Sequence, residues 1–283
     1  MISTIITNYN NGGLLRETVS SVLNQSYRDL EVIIVDDCST DDSINDIRRE
    51  FSGDGRLKIL MLDENHGAGY ARDYGLRHSS GEWISFVDGD DYIYPDFYRE
   101  MINAAEENDG DICSCKIDAN GTYRGIDFCV MTDKQVMIDR MLEQTNYYLN
   151  NKIVRRELFF PDGYCHRRYI EDTPTMVKCL MKCRREVFIP YIGYYYRSNP
   201  NSLTHTCSPT KTAIYNGLAM FEVHESITDA GYESHIDPVF LSKDLVLQGE
   251  HGLLDGQEIE EKFKDDFNLL NTYVDKYYPE EIK

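Results

Sequence analysis

The stretch "STIITNYNNGGLLRETVSSVLNQSYRDLEVIIVDDCSTDDS", residues 3–43, decides the fold. "STIITNY" (3–9) and "EVIIVDD" (31–37) are short apolar runs rich in β-branched residues, the composition of buried strands. Between them Leu15, Val19, Val22 and Leu23 recur at helical spacing. Strand, helix and strand in that order make a βαβ unit, with parallel strands and a right-handed crossover. "LKILML" (57–62) and "EWISFVD" (82–88) supply two more strands, with "GYARDYGLRHS" (69–79) as the helix between them. Residues 1–110 therefore read as an open, doubly wound α/β sheet. Such sheets bind ligands beyond the carboxyl ends of their strands. Residues 7–11, 36–39, 65–69 and 88–91 all fall on that edge.

"WISFVDGDDYIYPD" (83–96) brings four carboxylates, Asp88, Asp90, Asp91 and Asp96, within nine positions. Like charges this close repel, so the cluster needs a compensating cation, a turn geometry, or both. Two carboxylates one residue apart at a strand end can share a divalent cation and a ligand hydroxyl, and Gly89 permits the tight turn. An oxygen site incomplete in protein groups suits Mg²⁺ or Mn²⁺ completed by phosphate oxygens. The competing reading is an Asp-rich turn leading to Pro95. At the second strand end, Asp36 or Asp37 can accept hydrogen bonds from a base imide or a ribose hydroxyl, while Asp41 or Asp42 can cap the next helix. Tyr9 offers a flat surface on which a base can stack. Each residue alone has a mundane alternative; their coincidence on one edge is the signal.

The chain has 283 residues, 41% hydrophobic and 12% aromatic, which fits a globular protein with a substantial core. No apolar run approaches the ~20 residues of a membrane span. The opening "MISTIITNYNNGG" reads as a first strand and not a signal peptide, so a cytoplasmic location is expected. The net charge of −20 argues against nucleic acid or anionic membrane as a general partner. Residues 152–197, however, carry ten Lys or Arg against five Asp or Glu. That excess of five suggests either a local site for an anionic ligand or a basic face balancing acidic neighbours. The eight cysteines are dispersed and none has CxxC spacing, so reduced thiols are expected over disulfides or zinc.

From residue 111 to 205 the pattern mixes short elements. "DICSCKI" (111–117), "EVFIPY" (186–191) and "IGYYYR" (192–197) read as strands, "DKQVMIDRMLEQ" (133–144) and "TPTMVKCLMKC" (173–183) as helices. Residues 206–283 read as a mostly helical, acidic extension, with "TAIYNGLAMFEVHESI" (212–227) and "IEEKFKDDFNLLNTYVDKYY" (259–278) as its helices.

Residues 3–43, together with "NHGAGYARDYGL" (65–76), "GEWISFVDGDD" (81–91), "NKIVRREL" (151–158), "IEDTPTM" (170–176) and "YYYRSNPNSLT" (194–204), resemble the family 2 glycosyltransferases with the GT-A fold. The resemblance covers roughly residues 2–206. It implies a Rossmann-like mixed α/β sheet flanked by helices, with 1–110 as the nucleotide-sugar half and 111–205 as the acceptor-binding and catalytic half. By position, Thr7, Tyr9 and Asp37 match residues that hold the base, usually uracil, and Arg72 a basic residue near the nucleotide. Asp88 and Asp90 match the two acids of the DxD motif, Asp90 as direct ligand of a Mn or Mg ion and Asp88 nearer the ribose. Asp91 and Glu171 fall where the acceptor is met. Asp172 matches the catalytic base, and Arg197 and Ser202 a loop that can close on the diphosphate. His205 stands where some relatives complete the metal site. Asp73 departs from the pattern, which more often has Asn.

The expected activity is inverting, metal-dependent transfer of a sugar from a nucleoside diphosphate, UDP by the family resemblance, to a hydroxyl of a glycan or lipid-linked saccharide. Bacterial surface polysaccharide synthesis is the implied setting, with peripheral association at the inner membrane face if the acceptor is lipid-linked. Charge on the leaving diphosphate must be neutralised, and a carboxylate must take the proton of the incoming hydroxyl. Two other readings use the same residues: a haloacid-dehalogenase-type phosphatase, which also has a DxD after a strand, and a non-catalytic sugar-nucleotide-binding protein. Glu171 and Asp172 have their own alternative as a helix start, with Thr173 as N-cap and Pro174 as the first helical residue.

Overall fold

The computed structural model describes residues 1–143, 147–166, 170–200, 202, 209–235, 269 and 272. Strand β1 (Ile2–Asn8) lies between β2 (Leu30–Asp36) and β4 (Trp83–Asp88), and β3 (Leu57–Met61) extends the sheet beyond β2. All four strands are parallel, with Ile6 in register with Ile34 on one side and Val87 on the other. β2 is buried at every position, which is why its sequence is a continuous apolar run instead of an alternation. The crossovers are α1 (Gly13–Leu23), α2 (Ser43–Phe51) and α3 (Ala68–Arg77). α1 buries Leu15, Thr18, Val19, Val22 and Leu23, the face set by its helical spacing.

After β4 come a two-residue strand β5 (Tyr92–Ile93), α4 (Phe97–Glu107) and β6 (Ile112–Ala119). The short strands β7 (Thr122–Arg124) and β8 (Cys129–Met131), α5 (Lys134–Glu143) and β9 (Lys152–Arg155) follow. The unit closes with α6 (Asp172–Lys182) and β10 (Glu186–Tyr195). The sheet order is β3-β2-β1-β4-β9-β6-β10-β5, with β7 on β6 and β8 on β10. β9 runs antiparallel to both β4 and β6, so it joins two parallel groups of strands into one mixed sheet. "EVFIPY" and "IGYYYR", expected as two strands, are one. The register of β10 against β6 shifts between Phe188 and Ile192, around an exposed Pro190 that has no N–H to give. The sequence reading marked neither the extent of α2 nor α4, whose buried face is Phe97, Tyr98, Met101, Ile102 and Ala105.

The chain divides into two compact units, Met1–Asn199 and Pro200–Lys283. In the second, the expected helix at 212–227 lies within α7 (Pro209–Asp229). α7 stops in a glycine cap: Gly231, at φ +81°, donates its N–H to the Thr228 carbonyl, and Tyr232 donates to Ile227. The helix expected at 259–278 lies, except for Leu269 and Thr272, outside the described residues. Among the described residues no helix is long and apolar enough to cross a membrane. Cys113, Cys115, Cys179 and Cys183 are buried free thiols, and burial pushes their proton affinities up, Cys115 and Cys183 to about 12.

The strand starts are tied by one carboxylate. Glu31, on β2, accepts from Ser3 Oγ of β1 (2.5 Å), Lys58 Nζ of β3 (2.5 Å) and the Ser80 amide before β4 (2.8 Å). Burial opposes the charge, but the Lys58, Ser3 and Ser80 hydrogen bonds outweigh it and lower the Glu31 pKa from 4.5 to about 2. A depressed carboxylate contributes stability that is complete above pH 4.5 and is lost as pH falls towards 2. Glu31→Gln is therefore expected to lower stability at pH 7 by roughly 2 kcal/mol, discounted because Lys58 is half exposed. The gap to the wild type should close as pH falls from 4.5 to 2. Urea unfolding across that range checks it; a gap independent of pH refutes the tie.

Candidate active site

The polar residues at the carboxyl ends of β1, β2 and β4 divide into some turned inward and some left at the edge. Asp36 is fully buried and accepts from Asn8 Nδ2 (2.7 Å), Ser39 Oγ (2.6 Å) and the Ser39 amide (3.0 Å). Asp37 is also buried, and its two oxygens accept the amides of His66 and Gly67, each at 2.8 Å. It thereby fastens the loop that enters α3 to the end of β2. Tyr9 is 49% exposed at the end of β1, as a stacking surface requires, and Thr7 beside it is half-buried.

The turn after β4 is held against β1. The Asp91 amide donates to the Asp88 carbonyl (3.0 Å), and Thr18 Oγ1 of α1 donates to the Gly89 and Asp91 carbonyls. A Cβ on Gly89 would lie 2.5 Å from both the Thr7 carbonyl oxygen and Asn11 Nδ2, so the approach admits only glycine. The acidic residues then separate. Asp91, expected at the acceptor, is 1% exposed and turned into the protein. Its carboxylate accepts from Tyr194 Oη (2.6 Å) and the Arg197 amide (2.8 Å), which ties β10 to this turn. Asp88 and Asp90 stay partly exposed. Asp90 Oδ2 accepts from Asn199 Nδ2 (2.7 Å), and its carbonyl accepts from Arg197 Nε (2.9 Å). Arg197 reaches on to Glu17 of α1 (2.6 Å) and lies 5.7 Å from the centre of the Tyr92 ring. Burial, and then the charge of Asp88, push the pKa of Asp90 upward and that of Asp91 to about 8.

Two neighbouring carboxylates with this excess of negative charge are a fitting pair of hard oxygen ligands for a divalent cation. Among the described residues no cluster of three His, Cys, Asp or Glu side chains forms a complete metal site. His205 lies outside the described residues, and Ser202 belongs to the second unit, where it is half-buried.

Arg72 of α3 joins this turn to the start of α6. The residue is 7% exposed. Its Nη2 donates to Asp88 Oδ1 (2.6 Å), and its Nη1 donates to Glu171 Oε1 and more distantly to Asp172 Oδ1 (3.5 Å). Glu171, also expected at the acceptor, is buried and faces this guanidinium instead. Burial raises its pKa to about 7, with Arg72 opposing and Asp172 adding to the rise. Asp172 keeps a side chain 25% exposed; burial raises its pKa, while Arg72 and the Tyr164 hydroxyl pull it down. The helix starts at Asp172, so Thr173 and Pro174 lie inside its first turn and not at its cap.

Sequence reasoning missed several participants. Tyr164 Oη donates to Asp172, and Tyr194 and Asn199 hold Asp91 and Asp90. Asp73 accepts from the Tyr164 amide (2.8 Å), Arg77 Nε (2.6 Å) and His166 Nε2 (2.8 Å). Its departure from Asn had marked the position, without saying what it touches. Part of the basic excess of 152–197 balances acidic neighbours: Arg155 pairs with Glu82, Lys182 with Asp162 and Arg184 with Asp111. Lys152 is fully buried, donating to the Tyr148 carbonyl and Asn151 Oδ1, and burial lowers its pKa to about 8.

A family model described as glycosyl transferase family 2 matches residues 3–168. The chain belongs to that family. It is a glycosyltransferase, with the GT-A arrangement expected from its motifs, and the phosphatase reading is set aside. The transferase is 28% identical, over 221 residues, to glycosyltransferase GlyG of Streptococcus pneumoniae serotype 4 (strain ATCC BAA-334 / TIGR4), covering 73% of each chain. Among solved structures it is similar to S. aureus TarS 1-349 in complex with UDP-GlcNAc, with TM-score 0.71 and 20% identity, covering 97% of this chain and 80% of TarS. It is also similar to the mannosyltransferase PcManGT from Pyrobaculum calidifontis in complex with GDP-Man and Mn²⁺. That match has TM-score 0.61 and 17% identity, covering 98% and 81% of the two chains. At these identities both structures speak to the fold of the transferase alone.

Gly89→Ala tests the geometry of the turn. The added methyl has to push the turn away from β1, at a cost of about 1–3 kcal/mol. The melting temperature is expected to fall by several degrees. Thermal melting and urea unfolding read the effect; wild-type stability would refute the close approach.

Proposed function

We propose that the transferase moves a sugar, with inversion, from a UDP-sugar to a hydroxyl of a glycan or lipid-linked saccharide. A divalent cation is held by Asp90 and Asp88, and Asp172 is the base. The observation that carries this reading is the single guanidinium of Arg72, bonded to Asp88 at the strand-end turn on one side and to the Glu171 and Asp172 pair on the other. It holds a donor-side carboxylate and a candidate base in one rigid frame, as a single displacement between two substrates demands.

Tyr9 stacks on the base of the donor and Thr7 lines it; Asp37 keeps the loop into α3 closed beneath the nucleotide. Asp88 and Asp90 face the diphosphate, where a bound cation supplies charge neutralisation for the leaving group. Arg197, already bonded to the Asp90 carbonyl, stands at the same turn and adds positive charge there. Asp172 takes the proton of the acceptor hydroxyl as its oxygen attacks the anomeric carbon from the face opposite the diphosphate. Asp91 and Glu171 support this frame from inside: one anchors β10, the other neutralises Arg72. UDP is favoured over other nucleotides by the family resemblance. The acceptor class follows from the family resemblance, and a surface polysaccharide precursor is the reading that fits it.

Two measurements test these assignments. Mn²⁺ is expected to raise the melting temperature with UDP more than with ADP or GDP, and Asp90→Asn to remove most of the Mn²⁺-dependent gain. Full transfer activity in excess chelator would overturn the cation. Asp172→Asn is expected to leave UDP binding near wild type while cutting transfer ~10²- to 10⁴-fold, since a general base acts mainly in the transition state. If Glu171→Gln abolishes transfer and Asp172→Asn spares it, the base is the neighbouring residue.

A further inference from the structure

A carboxylate that removes a proton works best with one oxygen held and the other presented. In Asp172 the described partners fall on the same atom: Tyr164 Oη and Arg72 Nη1 both donate to Oδ1. Among the described residues no hydrogen bond to Oδ2 is present, and the side chain remains 25% exposed. Tyr164 itself has little freedom. It is 3% exposed, edge-on to Phe86 at 5.0 Å, with the Arg72 guanidinium 5.6 Å from its ring centre. Burial raises its phenol well above the usual range, so it remains a donor throughout the working pH.

The backbone of Tyr164 is fixed from α3. Asp73 Oδ1 accepts the Tyr164 amide, while Oδ2 accepts from Arg77 of its own helix and from His166 two residues further along the loop. The loop comes close enough only because residue 163 is glycine. At φ +75°, its missing Cβ would lie 2.5 Å from Asp73 Oδ1 and 2.6 Å from Arg77 Nη2. Cys165 then donates its amide to Thr175 Oγ1 of α6 (3.0 Å), which in turn donates to the Glu171 carbonyl (2.7 Å). Loop and helix start are therefore fixed to each other twice, once through backbone and once through the Tyr164 hydroxyl.

We propose that Tyr164 is a positioning residue for the transfer step: anchored by Asp73 through its amide, it holds Oδ1 of Asp172 and leaves Oδ2 to receive the acceptor proton. This rests on the reading of Asp172 as the base. In the step it serves, the acceptor O–H proton passes to Oδ2 and the acceptor oxygen bonds to the anomeric carbon. The bond from that carbon to the diphosphate oxygen breaks, and its electron pair leaves with UDP. The charged and titratable groups facing Asp172 are Arg72 of α3, Asp88 of β4, Glu171 beside it, Lys152 of β9 and Tyr164 itself. Of these, Tyr164 is the neutral donor, so removing its hydroxyl takes away a bond to the ionised carboxylate without changing the local charge.

The experiment compares Tyr164→Phe, Asp73→Asn, Asp73→Ala and Asp172→Asn with wild-type enzyme. It reads UDP release from the UDP-sugar that wild type turns over fastest in a panel, and UDP affinity by calorimetry. Tyr164→Phe is expected to lower kcat ~10- to 100-fold with donor KM and UDP affinity unchanged. The acidic limb of its kcat profile should move up by ~1 pH unit, because the base has lost a bond that favours its charged form. Asp73→Ala should approach the same defect and the same shift. Asp73→Asn, which still offers an oxygen to the Tyr164 amide, should restore most of kcat. A Tyr164→Phe enzyme with wild-type kcat and an unmoved acidic limb overturns the proposal. If Tyr164→Phe fails to bind UDP or to fold, the two Asp73 variants decide: equal kcat and equal limbs in Asn and Ala overturn it. An Asp172→Asn enzyme that keeps normal turnover overturns the base reading, and the positioning role with it, whereas loss of turnover there with an unaffected Tyr164→Phe overturns the positioning role alone.

Discussion

One buried guanidinium holds the active-site half of the molecule together. Arg72 is almost inaccessible and touches three carboxylates from two elements other than its own. A buried charge is tolerated only when paired and hydrogen-bonded, and breaking such a pair leaves the partner stranded. Here the dependence runs both ways. Without Arg72, Asp88, Glu171 and Asp172 would face one another with no neutralising partner, and their mutual repulsion would drive the strand-end turn away from the start of α6. The upward pull that burial exerts on Glu171 and Asp172 measures how much work the guanidinium does in keeping charge there.

The sheet makes that arrangement possible. β1, β2 and β4 are in parallel register, so their polar ends emerge at one level, and α3 starts at that level from the loop that Asp37 holds. β9 runs antiparallel beside β4 and ends opposite its first residue, Arg155 paired with Trp83; the 3-10 turn at residues 156–159 follows there, ahead of the loop that precedes α6. The start of α6 is held at the carboxyl ends of the strands by its bonds to α3, not by the direction of β9. Asp73 and Arg72, adjacent on α3, hold that loop and that helix start separately, one through backbone and one through charge.

Much of this was legible in the sequence, for a physical reason. Buried parallel strands must be apolar throughout, and the polar residues that end them must be the ones the ligand edge needs. β1 to β4, α1, α3 and the clusters at 7–11, 36–39, 65–69 and 88–91 could therefore be read from local pattern. What could not be read was direction. Asp91 and Glu171 look like Asp90 and Asp172 in sequence, yet within each pair one carboxylate faces in and its neighbour stays at the edge. The donors that decide this come from Tyr194, Arg197 and Arg72, about a hundred residues away. Tyr164 gave no signal for the same reason: its partners Asp73 and Asp172 converge on it only in three dimensions. α4 was passed over because its buried residues begin immediately after the acidic turn, with no break between site and helix.

The acidic turn after β4 resolves its own repulsion unequally. Asp91 is satisfied by a hydroxyl and an amide, Asp88 by the guanidinium of Arg72, and Asp90 by the side chain of Asn199, which brings no charge. Of the three acids only Asp88 meets an opposing charge in direct contact; Asp91 and Asp90 are held by neutral groups, with the positive charge of Arg197 more distant from Asp90. Asp90 is also the one the DxD pattern assigns to the cation. Asp91 is buried, whereas Asp90 stays partly exposed with a neutral amide as its side-chain partner, the condition in which a carboxylate gains most from an added positive charge. Beside a glycine that keeps the turn close to β1, Asp90 is thus the carboxylate whose repulsion with Asp88 an added positive charge would relieve most.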